Sequence, residues 1–166
     1  MTSHSPLPTA ADFMQAHVHT LAPEVSLDEA VRFLLKHRIS NAPVVAEDGG
    51  QKVLLGFLSE RDCLEHLAND AFYEQAQQPI TVRMMMKLHP ICVPPQADLF
   101  ALATVFYQQG FRHLPVVEDT RLLGIVSRRD VMRAMHDYWK TVRSESKAEH
   151  FPPDLHEIAN LRFIMR

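Results

Sequence analysis

The sequence predicts a mixed α/β fold of the α+β type, built from two copies of one unit that pack with pseudo-twofold symmetry. The first observation is a repeated motif: residues 56–62 read GFLSERD, and residues 124–130 read GIVSRRD. The second is a Pro-Val-Val tripeptide before each motif, at residues 43–45 and 115–117. Units repeated in this way bury their apolar faces against each other, so we expect one module with two related polar sites.

Each copy is predicted to run strand, helix, strand, strand, helix. Upstream of the motif the copies align 72 positions apart, and at the motif they align 68 positions apart. The difference falls in the polar loop 47–51 of the first copy, and surface loops of this composition tolerate insertions. The predicted core elements of the two copies therefore stay in register.

The first helix of each copy has an apolar stripe at the spacing i, i+3, i+4, i+7 and i+8, which predicts one buried face. Ser26 is expected to cap this helix in copy one, and Gly110 is expected to end it in copy two. The stripe residues are Leu27, Ala30, Val31, Leu34 and Leu35 in copy one, and Leu99, Leu102, Ala103, Phe106 and Tyr107 in copy two.

The polar residues of the motif lie where a strand turns into a helix. The Pro-Val-Val tripeptides are predicted to be short buried strands, and residues 54–58 and 122–126 are predicted to be the strands that follow them. Each second strand leads into Ser-x-x-Asp, at residues 59–62 and 127–130. This spacing at a helix start is also that of a capping box, so helix capping is an alternative explanation for both motifs.

Composition and charge exclude several classes of protein. Apolar residues are 46% and charged residues 22%, which is ordinary for a globular chain, and the net charge of −3 argues against a general nucleic-acid-binding surface. No apolar run approaches the roughly 18 residues of a membrane span, and the residues before Arg32 lack the features of a secretory signal. Cys63 and Cys92 occupy unlike positions of the two copies, so we expect a cytoplasmic protein without disulfides.

The sequence contains no recognisable catalytic or metal-binding pattern. Among its ten histidines there is no HExxH, and Cys63 and His66 have no further metal ligand nearby in the sequence. Neither cysteine lies in a nucleophile motif, and no phosphate-binding glycine pattern occurs. We therefore predict that the protein is not an enzyme and has no catalytic residues, catalytic cofactor or metal.

The duplicated Gly-h-h-Ser-x-x-Asp motif, each copy preceded by an amphipathic helix and a Pro-Val-Val strand, resembles a tandem CBS-domain pair. This family is named after cystathionine β-synthase. The resemblance covers residues 10–137. It implies a first repeat at 10–68, a linker at 69–81 and a second repeat at 82–137, and it leaves a C-terminal helical extension at 138–166.

The resemblance implies a regulatory module without chemistry of its own. Members of the family commonly bind an adenosine-containing ligand in the cleft between the repeats and form dimers through their surface helices. The implied ligand is AMP, ADP, ATP or S-adenosylmethionine, and a cyclic dinucleotide stays open. The resemblance therefore implies a homodimer. Because the extension is too short for a catalytic unit, we expect this homodimer to signal to a protein effector in trans.

The family's binding residues can be placed on matching positions of this chain. Asp62 and Asp130 would accept hydrogen bonds from ribose hydroxyls, and residues that enter the Pro-Val-Val strands would meet phosphate. The base would be walled by residues 16–20 opposite Asp130 and by residues 88–92 opposite Asp62. The implied nucleotide-binding residues are Asp130, Ser127, Arg129, Arg112, His113, Thr20, His17, Asp62, Ser59 and Arg61.

The two copies differ in charge around their aspartates. At five matching positions copy two has Arg112, His113, Arg128, Arg129 and Arg133, where copy one has Ser40, Asn41, Glu60, Arg61 and Glu65. We therefore expect the Asp130 site to hold phosphates and the Asp62 site to be weak or empty. The alternative is that these arginines form only a solvated basic helix face.

The chain after Asp130 is predicted to extend the last helix to about Arg143, because apolar residues continue at helical spacing through Trp139. A short helix is predicted to begin at Asp154. This extension packs on its own module or on a dimer mate, or it docks an effector with Trp139 and Phe163 as anchors. The alternative function is therefore a ligand-free structural or interaction module that dimerises and docks a partner through its tail.

Overall fold

A computed structural model describes residues 7–73 and 79–148 of the chain, with side chains described at 7–69 and 79–144. None of the helices in these ranges is both long enough and apolar enough to span a membrane. The elements, in chain order, are α1 Ala10–Phe13, α2 Leu27–His37, β1 Asn41–Asp48, β2 Gln51–Ser59, α3 Glu60–Tyr73, α4 Val82–Met85, β3 Lys87–Leu88, α5 Leu99–Gln109, β4 His113–Glu118, β5 Arg121–Ser127 and α6 Arg128–Ala148.

Two antiparallel hairpins, one from each repeat, form most of the sheet. β1 pairs with β2 and β4 pairs with β5 in matching registers, which set Asn41 opposite Ser59 and His113 opposite Ser127. Each hairpin has an irregularity between the two valines of its Pro-Val-Val tripeptide. The hairpins meet edge to edge through β2 and β5, so the strand order is β1-β2-β5-β4. The predicted mixed α/β fold with two equivalent units is confirmed.

Each hairpin packs against the helices of its repeat and forms its own apolar core. Most of the predicted helix stripe is in these cores: Leu27, Ala30, Leu34, Leu99, Leu102 and Phe106 are buried. The last stripe positions were predicted wrongly, since Leu35 is 73% exposed and Tyr107 is 89% exposed. With 3.6 residues per turn, residue i+8 lies about 80° around the helix from residue i and turns away from the core.

The leading segment of each copy packs on the core of the other copy. Ala10 of α1 lies in the second core, and Val82 and Met85 of α4 lie in the first. The chain then crosses back, and Leu21 and Val93 bridge to the Pro-Val-Val strands of their own copies. The strand predicted to lead each copy is therefore reduced to short bridges and β3, because the crossing divides the segment between two cores.

The glycine of each motif allows this crossing segment to approach the sheet. A Cβ on Gly124 would lie 2.7 Å from the carbonyl oxygen of Gln15, and one on Gly56 would lie 2.8 Å from the carbonyl oxygen of Lys87. Gln15 and Ile125 exchange two backbone hydrogen bonds, of 2.8 and 3.0 Å. A side chain at either position would collide with the main chain of the crossing segment. This steric restriction explains why both copies of the motif have glycine there.

The last helix is longer than predicted. α6 runs to Ala148, beyond the predicted end at Arg143. Trp139 is 51% exposed on this helix, and the guanidinium carbon of Arg143 lies 4.7 Å from the centre of its ring. The helix predicted to begin at Asp154 and the predicted anchor Phe163 lie outside the described residues.

Candidate functional site

The crossing segments and the starts of the hairpins enclose two clefts related by the pseudo-twofold axis. One, the Asp62 cleft, has a volume of about 490 Å³ and is lined by residues of both repeats. The other, the Asp130 cleft, consists of two cavities of about 630 and 280 Å³ that share Gln15, His113 and Ile125. Volumes of this order are typical of small-molecule binding sites.

A serine and an aspartate form a reciprocal capping box in each cleft. Oδ2 of Asp130 accepts hydrogen bonds from the Ser127 hydroxyl and, at 3.0 Å, from the Ser127 backbone N–H. Oδ2 of Asp62 accepts the equivalent bonds from Ser59, at 2.6 Å from the hydroxyl and 2.8 Å from the N–H. The capping geometry expected from Ser-x-x-Asp is therefore present at both helix starts.

The other carboxylate oxygen of each aspartate is available to a ligand. Among the described residues, Oδ1 of Asp130 makes only an ion pair with Arg133 at 3.6 Å, and Oδ1 of Asp62 makes one with Lys87 at 3.7 Å. The aspartate side chains are 10% and 9% exposed. A carboxylate has about four acceptor positions, and the serine uses two. The two that remain match the two hydroxyls of a vicinal diol.

Backbone hydrogen bonds hold the strand starts beside the helix N-termini. The N–H of Arg128 donates to the carbonyl of Arg112 at 3.0 Å, and the N–H of Glu60 donates to the carbonyl of Ser40 at 2.8 Å. A helix N-terminus carries partial positive charge and favours anions. The residues expected to meet phosphate therefore lie at the positive ends of α6 and α3.

Two pseudo-equivalent residues join the clefts. Asn41 lines the Asp62 cleft and the smaller cavity of the Asp130 cleft, and its amide Nδ2 lies 2.8 Å from Nδ1 of His113. Burial lowers the pKa of His113, the nearby Arg112 lowers it further, and Asp130 opposes the shift. A neutral ring whose Nδ1 accepts from the Asn41 amide carries its proton on Nε2, so His113 is a hydrogen-bond donor at that atom.

The charge difference expected between the copies is present around the two aspartates. The Asp130 cleft is lined by one carboxylate and five arginines, which are Arg38, Arg112, Arg128, Arg129 and Arg133. The Asp62 cleft is lined by three cations and two carboxylates, which are Arg61, Lys87, Arg112, Glu60 and Asp62. The Asp130 cleft is thus the stronger candidate for a phosphate-bearing ligand.

Most of the candidate binding residues lie in one cleft or the other. Asp130, Ser127, Arg129, Arg112, His113 and His17 line the Asp130 cleft, and Asp62, Ser59 and Arg61 line the Asp62 cleft. Thr20 does not line these cavities, and its hydroxyl accepts a hydrogen bond from Lys52 Nζ at 3.2 Å. Of the expected base walls, His17, Val18 and His19 line the Asp130 cleft, and Pro90 and Ile91 line the Asp62 cleft.

Sequence reasoning missed several lining residues. Gln15 and Lys87 line opposite clefts at equivalent positions of the crossing segments, and their matching places in the repeat were the signal that could have found them. Phe57 and Ile125 follow the motif glycines and could have been found in the same way. Arg38 ends α2 with a left-handed φ of 53°, and its matching residue Gly110 ends α5 and lines the Asp62 cleft, so the repeat could have found it as well.

The surroundings of the two cysteines keep their thiols protonated. Burial raises the thiol pKa of both Cys63 and Cys92, and the Asp62 carboxylate raises that of Cys63 further. A raised pKa keeps a thiol protonated and poorly nucleophilic at neutral pH. Within residues 7–73 and 79–148, no three His, Cys, Asp or Glu side chains are grouped to hold a metal ion.

Comparison with known proteins identifies relatives along most of the chain. YhcV, a CBS domain-containing protein of Bacillus subtilis, is 30% identical over 120 residues, which are 72% of this chain and 80% of YhcV. The chloroplastic CBS domain-containing protein CBSX1 of Arabidopsis thaliana is 28% identical over 152 residues. An uncharacterised protein of Methanocaldococcus jannaschii is 27% identical over 128 residues. The alignments span 77% of this chain but 43% of the archaeal protein, and 76% of this chain but 63% of CBSX1.

Two similar solved structures contain adenosine compounds. CBSX2 of Arabidopsis thaliana in complex with AMP has a TM-score of 0.67 and 29% identity, covering 78% of this chain and 96% of that one. The CBS domain pair of protein MJ0100, in complex with 5′-methylthioadenosine and S-adenosyl-L-methionine, has a TM-score of 0.65 and 25% identity, covering 80% and 98%.

The family model of the CBS domain matches the chain twice, at residues 10–69 and 82–137. These two matches contain the two Ser-x-x-Asp motifs and the two hairpins that form the clefts. The expectation of a tandem pair is therefore confirmed, and this chain belongs to the CBS-domain family.

Proposed function

We propose that the protein is a regulatory module that binds an adenosine-containing nucleotide in the Asp130 cleft and signals to a partner protein in trans. The observation that carries this proposal is the nine-tenths buried Asp130 carboxylate, with one oxygen available in a cleft lined by five arginines. The adenosine ligands of CBSX2 and of the MJ0100 pair support the ligand class. AMP, ADP and ATP are the first candidates, because they carry phosphate.

Each part of the nucleotide has a chemical counterpart in this cleft. The ribose hydroxyls donate to Oδ1 of Asp130, and each hydrogen bond to a charged group contributes roughly 1.5–3 kcal/mol. The phosphates lie among Arg112, Arg128 and Arg129 at the N-terminus of α6. The base enters the smaller cavity, whose apolar walls are Val18, Ile39 and Ile125.

Signalling follows from the way both repeats build each cleft. The Asp130 cleft combines α6 and β5 of the second repeat with residues 15–19 and 38–41 of the first. A ligand that contacts both repeats stabilises the arrangement in which these walls fit it, and a partner protein that binds this arrangement better responds to the ligand. The module regulates without catalysing a reaction.

We further propose that the protein is a cytoplasmic homodimer. Large apolar side chains are exposed on each of the four long helices: Leu35 at 73%, Leu64 at 63%, Tyr107 at 89% and Met132 at 66%. Exposed apolar surface of this kind marks interaction sites. The two thiols and the absence of a described disulfide fit a reducing compartment.

Calorimetric titration with AMP, ADP, ATP and S-adenosylmethionine tests the proposal. Wild type is expected to bind at least one nucleotide saturably, and Asp130→Asn is expected to lose that binding while keeping the capping acceptor. At a hundredfold excess over Kd, the nucleotide should add about 2.7 kcal/mol to the free energy of unfolding. Glu29→Ala, which removes the carboxylate half of the α2 capping box outside both clefts, is the matched control. Saturable binding of AMP, ADP or ATP that survives in Asp130→Asn would contradict the assignment.

A ligand-free interaction module is the second candidate. It is favoured by the capping boxes, because they give Ser59, Asp62, Ser127 and Asp130 a structural role without any ligand. The half-exposed Trp139 on α6 then becomes the candidate anchor for a partner. Absence of saturable nucleotide binding in wild type, together with a dimer measured by sedimentation, would favour this candidate.

A further inference from the structure

We propose that the Asp62 cleft is a separate site that selects an adenosyl ligand without phosphate, and that Glu60 is the residue that excludes phosphate from it. The inference rests on the proposed binding of nucleotides in the Asp130 cleft, and it assigns a different ligand class to the second cleft. One chain would then respond to two adenosyl compounds that differ in the charge of their 5′ substituent.

The ribose anchor is the same in both clefts. Asp62 has one oxygen bonded to Ser59 and one available oxygen, and its side chain is 9% exposed. The cleft of about 490 Å³ around it is large enough for an adenosyl compound. The Asp62 cleft therefore has the same acceptor for a vicinal diol as the Asp130 cleft, and its geometry is compatible with ligand binding.

The phosphate end of the Asp62 cleft differs. Glu60 lines this cleft at the first position of α3, where the Asp130 cleft has Arg128 at the first position of α6. Arg112 lines both clefts. A nucleotide phosphate in the Asp130 cleft engages Arg112 there, and the Asp62 cleft is left with two cations and two carboxylates. A phosphate gains little attraction from such a balanced set and meets the Glu60 carboxylate directly.

The walls of the Asp62 cleft fit an uncharged substituent. Its lining includes Phe57, Pro90, Ile91 and Phe111. The position of Ile91 matches His19 in the other cleft, so the wall is more apolar at this point. A thioether substituent packs against apolar side chains, and a sulfonium is attracted by Glu60. The ligand class is therefore a 5′-thioadenosine or an adenosyl sulfonium.

Calorimetric titration with 5′-methylthioadenosine, S-adenosylmethionine and AMP, on full-length variants, tests the inference. Asp62→Asn is expected to weaken binding of the two sulfur compounds at least tenfold and to leave AMP binding unchanged. Asp130→Asn is expected to do the reverse. In wild type, AMP should bind with one molecule per chain and should not compete with 5′-methylthioadenosine.

Exchange of the charge at one position gives the sharper test. Glu60→Arg should add a second AMP per chain and weaken S-adenosylmethionine at least tenfold, while 5′-methylthioadenosine, which is uncharged, should change less than threefold. Glu47→Arg, which makes the same charge reversal at an exposed position of β1 outside the lining of the cleft, is the matched control and should change none of these values. Melting curves verify that each variant is folded.

The possible results separate this inference from the proposed function. Two AMP molecules per wild-type chain, or competition between AMP and 5′-methylthioadenosine for one site, would overturn the charge selection. Binding of AMP at Asp130 without binding of either sulfur compound would overturn it as well, and would leave the proposed function intact. Binding of a sulfur compound that depends on Asp62, in a protein that binds no phosphate-bearing nucleotide, would support the Asp62 site and refute the proposed function of the Asp130 cleft.

Discussion

Replacement of Gly124 by alanine tests how the crossing segment positions the Asp130 cleft. The new Cβ would lie 2.7 Å from the carbonyl oxygen of Gln15 and 2.9 Å from the sulfur of Met14. Because the first of these atoms belongs to the main chain, a rotamer change cannot relieve the contact. The segment must move away from β5, and it carries Gln15, a residue that lines the Asp130 cleft.

The size of the effect follows from the contacts that are disturbed. Overpacking costs about 1–3 kcal/mol, and the two backbone hydrogen bonds between Gln15 and Ile125 contribute about 1 kcal/mol each. Alanine regains about 0.5–1 kcal/mol over glycine in the unfolded-state entropy. The net expectation for Gly124→Ala is a loss of about 2–4 kcal/mol, or about 5–15 °C in Tm for a chain of this length.

Thermal and urea unfolding, together with AMP titration, measure this prediction. Gly124→Ala should weaken AMP binding more than it weakens the binding of 5′-methylthioadenosine in the Asp62 cleft. Gly56→Ala, whose Cβ would lie 2.8 Å from the Lys87 carbonyl oxygen, should do the reverse. Gly49→Ala is the control without a collision, and its φ of +56° predicts a cost of only about 1–2 kcal/mol. A Gly124→Ala protein that melts within about 2 °C of wild type and binds AMP normally would refute the account of the crossing.

Three further outcomes are expected. The free energy of unfolding should fall as the pH drops below about 6.5, because the pKa of His113 is lowered in the folded protein and the unfolded state therefore binds more protons. Thermal melts of His113→Asn across this range should show a weaker pH dependence. The dependence that remains should come from His37, whose pKa is also lowered. Ser26→Ala should cost about 1 kcal/mol in urea unfolding through loss of the α2 cap, and a change in nucleotide affinity would contradict its placement outside the clefts. Cys63, 3% exposed with a raised thiol pKa, should react with a thiol reagent at neutral pH only upon unfolding, and rapid labelling of native protein would contradict its burial.

Local sequence patterns were sufficient for much of the fold. The Pro-Val-Val tripeptides and the strands after them form the two hairpins, since β-rich runs separated by turns pair with their neighbours along the chain. The capping geometry of Ser59 with Asp62 and of Ser127 with Asp130 was readable because its members are three residues apart. Features of this kind depend on short-range contacts, which spacing encodes directly.

Long-range arrangements were not readable in the same way. No periodicity indicates that α1 packs in the second core and α4 in the first, because that exchange depends on where the chain crosses between repeats. The ion pair of Lys87 with Asp62 and the contact of Asn41 with His113 join residues of different repeats. These contacts depend on how the two repeats are placed relative to each other, and the order of motifs along the chain does not indicate that placement.

A crystal structure of the protein with AMP tests the central claim most directly. The account predicts one AMP in the Asp130 cleft, with the ribose hydroxyls within about 2.5–3.0 Å of Oδ1 of Asp130, the phosphate among Arg112, Arg128 and Arg129, and the base against Val18. A nucleotide bound only in the Asp62 cleft, or one in the Asp130 cleft whose ribose does not touch Asp130, would contradict it.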